Sequence, residues 1–306
     1  MSTADLPAPG PIEKLRLAAG DIKLAHSVFA LPFAVLGAFI ARPEGSRGAF
    51  AGQLGLVVVC MVLARTWAML FNRLADARYD RANPRTARRV IASGRLSERD
   101  GWAVALGCAA LFCGAAGLFW ALFGNPWPLW LSVPVLAWIA FYSLTKRFTL
   151  LCHVFLGGAL AASPLAAALA VDPAAITARP ALWCLAGMVV AWVAGFDVIY
   201  ALQDVAFDRA TGLYSIPSRL GPGRAILVSR LLHVVALAML VMAAGVDARF
   251  GPVFMAAVVL VGGLLVTEHV ILAKRGEAGL DMAFFTVNGV VSCVLGVAGV
   301  IDLTVL

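Results

Sequence analysis

The sequence predicts an all-α integral membrane protein, with nine transmembrane helices around a central cavity and a cytoplasmic N-terminus. Three observations predict it. Of 306 residues, 62% are hydrophobic and 13% are charged, with a mean hydropathy of +0.91; a soluble domain carries roughly 25% charged residues. The apolar residues come in runs of about 20, the length that crosses a bilayer. Lysine and arginine collect in alternate loops.

Residues 1–20 are polar and contain proline, and read as a cytoplasmic arm; residues 21–306 read as one transmembrane domain. The arm lacks the charged, apolar and cleavage regions of a signal peptide, so the first apolar helix is expected to remain as a span. Spans are expected at 22–41, 52–72, 102–123, 127–145, 150–171, 181–203, 225–246, 250–272 and 283–304.

The arm and the loops after spans two, four, six and eight hold 19 lysines and arginines, against Arg42, Arg47, Arg179 and Arg249 on the other side. Positive loops stay in the cytoplasm. The net charge of +7 is therefore accounted for by topology, and nucleic acid is not expected as a partner. The six cysteines lie in apolar runs with no CxxC spacing, so they read as small buried hydrophobes. The Gly157-Gly158 and Gly262-Gly263 pairs read as sites of close helix packing.

Two polar stretches interrupt this pattern. In the first, Asn72, Asp76 and Asp80 are spaced four and four; in the second, Asp197, Asp204 and Asp208 are spaced seven and four, with Tyr200 among them. On a continuous helix each set shares one face. An ionised group inside a bilayer costs at least ~2.5–3.5 kcal/mol, so such stripes are expected to face a cavity, a metal or a charged substrate. Each stripe precedes a long basic loop, and long loops are often lids or binding elements. Both lie on the same side and read as two halves of one site.

Asparagine and aspartate oxygens are hard ligands that suit Mg²⁺, which commonly bridges carboxylates to phosphate oxygens. Facing stripes would hold metal around a diphosphate and neutralise the charge that grows on it as its C–O bond breaks. Arg73, Arg78, Lys146 and Lys23 are the basic candidates for phosphate contacts. A polyprenyl diphosphate suits such a site, because its tail dissolves only in lipid or an apolar groove. Ionisation yields an allylic cation that must be kept from bulk water. Tyr142 and Tyr200 could stabilise that cation through their rings.

At these residues the chain resembles the UbiA superfamily of intramembrane aromatic prenyltransferases. The family's N-D/R-x-x-D-x-x-x-D appears as Asn72, Arg73, Asp76 and Asp80. Its D-x-x-Y-A-x-x-D-x-x-x-D appears as Asp197, Tyr200, Ala201, Asp204 and Asp208, and its Tyr-x-x-x-Lys as Tyr142 and Lys146. The run GLYSIPSRLG looks like the family's lid. The resemblance spans nearly the whole chain and looks closest to the 4-hydroxybenzoate polyprenyltransferase branch. KLAHSVFALPFA, NPRTARR and YALQDVAFDR look like the subgroup linked to quinone synthesis, including the futalosine route to menaquinone.

The resemblance implies a multi-pass enzyme of the cell inner membrane with its active site facing the cytoplasm and Mg²⁺ as cofactor. Its metal would be held by Asn72, Asp76, Asp80, Asp204 and Asp208. It would transfer a polyprenyl group to 4-hydroxybenzoate or a dihydroxynaphthoate-like acid. Asp197 would assist deprotonation of the phenol, with His26, Ser215 and Arg219 as candidates on the acceptor side. One departure stands out: Val90, Ile91 and Ala92 precede Ser93-Gly94 where the family reads Pro-Leu-Pro. Losing two prolines is expected to loosen the lid.

Other readings remain open from sequence. Asp197 could pair with Arg65, which is seven residues before Asn72 and shares its face. Arg65 and Glu268 could be a packing pair or cavity lining, and His26 a buried histidine. The acceptor could be haem, chlorophyllide or a glycerol phosphate. A secondary transporter would also use intramembrane carboxylates, though its site is usually near the midplane on broken helices.

Overall fold

A computed structural model describes residues 10–22, 29–43, 47–276, 280 and 282–305. Among these the chain is helical, without strands. The elements are α1 (Pro11–Ile22), α2 (Leu31–Ala41), α3 (Arg47–Ala75), α4 (Ala77–Ala82), α5 (Glu98–Phe123), α6 (Trp127–Thr145) and α7 (Cys152–Val171). After these come α8 (Ala175–Ala178), α9 (Ala181–Tyr200), α10 (Val205–Thr211), α11 (Ile216–Leu220), α12 (Pro222–Val246), α13 (Pro252–Arg275) and α14 (Asn288–Val305). Eight helical stretches are long and apolar enough to cross a membrane: those built on α3, α5, α6, α7, α9, α12, α13 and α14. The expected first span is represented by the shorter apolar helix α2.

Sequence rules explain where the helices begin and end. Ser97 caps α5 by accepting a bond from the Asp100 N–H at 3.1 Å, and Gly124 ends it in the left-handed region at φ 70°. Proline stands in the first turn of α2, α6, α12 and α13, where its missing N–H costs nothing.

Helix α9 is the centre of the bundle. It is apolar on every face, from Leu182 and Leu185 through Met188, Trp192 and Phe196, and these side chains are all buried by its neighbours. It packs along α7 and α12. Gly157 permits the first contact, since a Cβ there would collide with the Val190 carbonyl oxygen. Gly263, in contrast, faces open space, so its expected packing role does not hold. Of the cysteines, Cys152 is buried but Cys293 is exposed on α14, and all six are free.

A fully buried polar cluster ties α9 to the last three helices. Trp192 Nε1 donates to Asn288 Oδ1 at 2.6 Å, and Asn288 Nδ2 donates to Glu268 Oε1 at 3.2 Å. His233 and His269 lie 3.1 Å apart beside it. Glu268 is therefore a packing group, away from both acidic stripes.

The loop between α4 and α5 is anchored despite its missing prolines. Val90, Ile91 and Leu96 are buried with Leu70, Leu74 and Ala105. Burial of these apolar side chains supplies the order that proline would have contributed.

Candidate active site

One cavity of about 720 Å³ runs through the bundle. Both acidic stripes line one end of it, with Asn72, Arg73, Asp76 and Asp80 from the first and Asp197, Tyr200, Asp204 and Asp208 from the second. Tyr142 and Lys146 line the same region. The walls then turn apolar through Phe112, Phe119, Leu131, Val135, Leu156 and Leu165, reaching Ile176 and Trp183. A charged head and a long apolar tail match this division.

The stripes are not continuous helices. Helix α3 stops at Ala75, and Asp76 separates it from α4. Helix α9 stops at Tyr200, and a 3₁₀ turn at Ala201–Asp204 precedes α10. Sequence spacing alone places all the acids on one α-helical face, but the backbone tightens locally and the cavity gathers them instead. Helices break this way where the site, rather than helix propensity, sets the geometry.

Asp76, Asp80, Asp204 and Asp208 each engage a cation. Arg85 reaches across from the first stripe's loop and grips Asp204, with Nη2 2.6 Å from Oδ2 and Nε 3.0 Å from Oδ1. Its Nη1 donates to Tyr200 Oη at 3.1 Å. Asn83 Nδ2 also donates to Asp204 Oδ1, at 3.1 Å. Arg89 Nη1 holds both oxygens of Asp80 at 2.7 and 2.9 Å. Lys146 Nζ lies 2.8 Å from Asp208 Oδ1, and Arg147 Nη2 lies 3.3 Å from Asp76 Oδ1. The two stripes are thus joined physically, through Arg85.

The charges perturb one another. Burial pushes the Asp76 carboxyl above the usual carboxylate range; the bond from Arg147 opposes this and Asp80 adds to it. Burial alone would depress the Lys146 ammonium, but Asp208 outweighs it and raises Lys146 above its ordinary value. Arg85 follows the same logic, with burial opposed and exceeded by Asp204.

Several expected site residues lie elsewhere. Arg78 is exposed and bonds its neighbour Tyr79 rather than the cavity. Arg219 is exposed and stacks 3.9 Å over the Tyr214 ring. Ser215 caps α11 and donates from Oγ to Asp208 Oδ2 at 2.8 Å, so it supports an acid instead of lining the cavity. Each of the three side chains is engaged away from the cavity, by Tyr79, Tyr214 and Asp208 respectively. Lys23 and His26 lie outside the described residues. Asp197 pairs with His153 at 2.7 Å, not with Arg65.

Sequence reasoning missed Asn83, Arg85, Arg89 and Arg147, although the basic run NPRTARR contains three of them. It also missed His153. Arg65 lines the cavity with its Nε buried and without a hydrogen-bond partner. A buried guanidinium nitrogen in that state is suited to an anion.

The donor set fits Mg²⁺, which takes one or two carboxylates together with waters and phosphate oxygens. Among the described residues no three acidic, histidine or cysteine side chains close on a single point. A metal there would accordingly need substrate oxygens to complete its shell.

The chain is similar to known proteins in sequence and in fold. A family model described as the UbiA prenyltransferase family matches residues 30–290. A protein named 4-hydroxybenzoate octaprenyltransferase from Nitrosomonas eutropha is 31% identical over 242 residues, covering 78% of this chain and 79% of its own. The apo structure of a UbiA homolog from Aeropyrum pernix K1 aligns at TM-score 0.80 and 30% identity, covering 92% of this chain and 98% of that one. The structure of a UbiA homolog from Archaeoglobus fulgidus bound to DMAPP and Mg²⁺ shares the fold at TM-score 0.63 and 19% identity, covering 96% and 99%.

Proposed function

The chain belongs to the UbiA prenyltransferase family, integral membrane enzymes that transfer alkyl groups, and from that membership we propose the following reaction. The enzyme moves a polyprenyl group from its diphosphate to an aromatic acid, 4-hydroxybenzoate first and a dihydroxynaphthoate-like acid second. The observation that carries this reading is the single cavity with both acidic stripes at one end and apolar walls along the rest. The name of the Nitrosomonas relative supports the acceptor, and the setting of the proposed reaction is quinone synthesis.

The diphosphate sits between the stripes. Mg²⁺ bound there by Asp76, Asp80, Asp204 and Asp208, with Asn72, would neutralise the charge growing on the leaving group; the DMAPP- and Mg²⁺-bound neighbour is consistent with this. Arg73, Arg85, Arg89 and Lys146 line the same end and offer charge-assisted donors to phosphate. Tyr142 and Tyr200 present rings near the carbon from which the diphosphate departs. The apolar walls hold the chain and exclude water, so the cation survives until it is captured.

Arg65, whose buried Nε has no hydrogen-bond partner, offers its guanidinium to the acceptor's carboxylate. Asp197 accepts the phenolic proton, which makes the neighbouring ring carbon more nucleophilic. Once the C–O bond of the diphosphate has broken, that carbon captures the allylic cation and forms the new C–C bond. The ring carbon then loses its hydrogen as a proton, the phenol regains one, and one proton leaves with the diphosphate.

In the cell the enzyme is a multi-pass protein of the inner membrane, with α2 belonging to a ninth span beside the eight long helices. The basic loops put the N-terminus and the acidic end of the cavity at the cytoplasm. Product analysis by mass spectrometry tests the reaction, using purified protein in lipid, candidate acceptors and a prenyl diphosphate. The expected result is prenylated aromatic acid that vanishes with EDTA and returns with Mg²⁺. Full transfer in metal-free buffer would sink the two-stripe site, and prenylation only of haem, chlorophyllide or a glycerol phosphate would move the acceptor.

A further inference from the structure

His153 is the one imidazole on the cavity wall among the described residues, and nothing in the reaction outlined above uses it. It lies in the first turn of α7 and is 2% exposed. Its Nδ1 is 2.7 Å from Asp197 Oδ2 on α9. Its Nε2 is 3.2 Å from the backbone nitrogen of Ile216, the first residue of α11.

These two contacts assign the protons. An N–H at the start of a helix has no partner within that helix, and the one at Ile216 can only donate. Nε2 must therefore offer its lone pair. A neutral imidazole with Nε2 unprotonated carries its hydrogen on Nδ1, and that hydrogen points to Asp197. Ile216 thus selects the tautomer, and the tautomer holds the carboxylate.

Ile216 is itself fixed from several sides. Ser215, beside it, donates to Asp208. The Tyr214 N–H donates to the Lys146 carbonyl oxygen at 2.7 Å. The segment that bonds Asp208 at the diphosphate end therefore also bonds the group that orients Asp197.

We propose that His153 is the positioning residue for Asp197: a neutral, Nδ1-protonated imidazole that joins this carboxylate to the 213–220 segment and leaves Asp197 Oδ1 for the acceptor's phenol. Among the described residues Oδ1 takes no hydrogen bond, while the carboxylate keeps 23% of its surface open on the cavity it lines. His153 does not relay the proton, because Nε2 is closed by Ile216 and offers no exit. The inference rests on the prenyl-transfer reading for its kinetic consequence, but not for its tautomer.

Two variants separate positioning from relay. The amide of His153→Gln can accept from Ile216 and donate to Asp197, but it cannot carry a proton at neutral pH. His153→Leu can do neither. For folded protein in lipid, His153→Leu should lower kcat by about 10- to 100-fold, the usual loss when a group that orients another is removed. The KM for the prenyl diphosphate should stay nearly constant, and His153→Gln should recover most of kcat with an unchanged pH profile. Gln as impaired as Leu would establish a relay and overturn the proposal, as would full activity in Leu.

An independent readout uses nitrogen-15 histidine labelling of the wild-type protein in lipid nanodiscs. The chain has four histidines, so the His153 signal is identified by its loss in His153→Gln. The Nδ1–H neutral tautomer is expected, and a Nε2–H or doubly protonated ring would overturn the proposal even if Leu fails to fold. Wild-type protein that prenylates no aromatic acid would refute the proposed reaction, while the tautomer measurement would still decide the inference.

Discussion

Asp76 and Asp204 share one backbone conformation, at φ −97°, ψ 8° and φ −103°, ψ 6°. Each stands between two helical segments, and each is four residues before a second acid, Asp80 or Asp208. This sparsely occupied bridge region recurs at active-site residues. The matched breaks turn two helix ends toward one cavity, and Arg85 spans the gap between them.

If Asp76 and Asp204 act on one diphosphate, they act as a unit. Asp76→Asn and Asp204→Asn should each collapse kcat, and the double variant should be hardly worse than the worse single one. Turnover is measured per folded molecule, alongside solute flux in proteoliposomes. Modest, independently multiplying losses would separate the stripes, and flux without prenylated product would restore the transporter reading.

Asp76 also predicts a conflict between stability and activity. Its folded pKa is raised, so its contribution to stability is present at low pH and lost as pH rises through that value. Above that value the ionised side chain opposes folding. Asp76→Asn should therefore raise Tm by roughly a few degrees while abolishing turnover. A lower Tm in Asp76→Asn would contradict this sign.

Arg85 makes three bonds at fixed angles, two to Asp204 and one to Tyr200. Lysine keeps the charge but cannot reproduce the fork. Arg85→Lys should therefore lose kcat/KM almost as severely as Arg85→Ala, by about tenfold or more for a charge-assisted pair of ~1.5–3 kcal/mol. Near-complete rescue by lysine would show that charge alone matters.

Lys146 pairs with Asp208 at the diphosphate end. Lys146→Ala should raise the KM for the prenyl diphosphate more than that for the acceptor. The reverse pattern, seen in steady-state kinetics with each substrate varied in turn, would assign Lys146 to the acceptor carboxylate.

The Trp192–Asn288–Glu268 cluster should be structural. Asn288→Leu leaves the Trp192 N–H and a Glu268 oxygen without this partner. In a soluble core each orphaned group would cost about 1–3 kcal/mol. Within a bilayer the total should be nearer ~1–2 kcal/mol, because the unfolded helices also find partners. Denaturation in mixed micelles measures this, and kcat of the remaining folded enzyme should stay close to wild type.

Composition and run length were enough to determine the all-helical membrane fold, since a bilayer admits only a narrow range of span lengths. The helix at Trp127–Thr145 agrees with its expected bounds end to end. The acids were legible too: ionised groups at the ends of apolar runs are too costly to be incidental. What only the tertiary structure decided is who faces whom. Arg85 and Asp204 are separated by 119 residues, and His153 and Asp197 by 44. No local periodicity encodes such pairs, because they arise when separate helices pack. The same limit misplaced Arg78 and Arg219, whose sequence neighbours line or support the site while their own side chains turn outward. The 3₁₀ turn at Ala201–Asp204 had no signal of its own either, since the residues there also suit an α-helix, and contacts with Arg85 and Asn83 set its geometry.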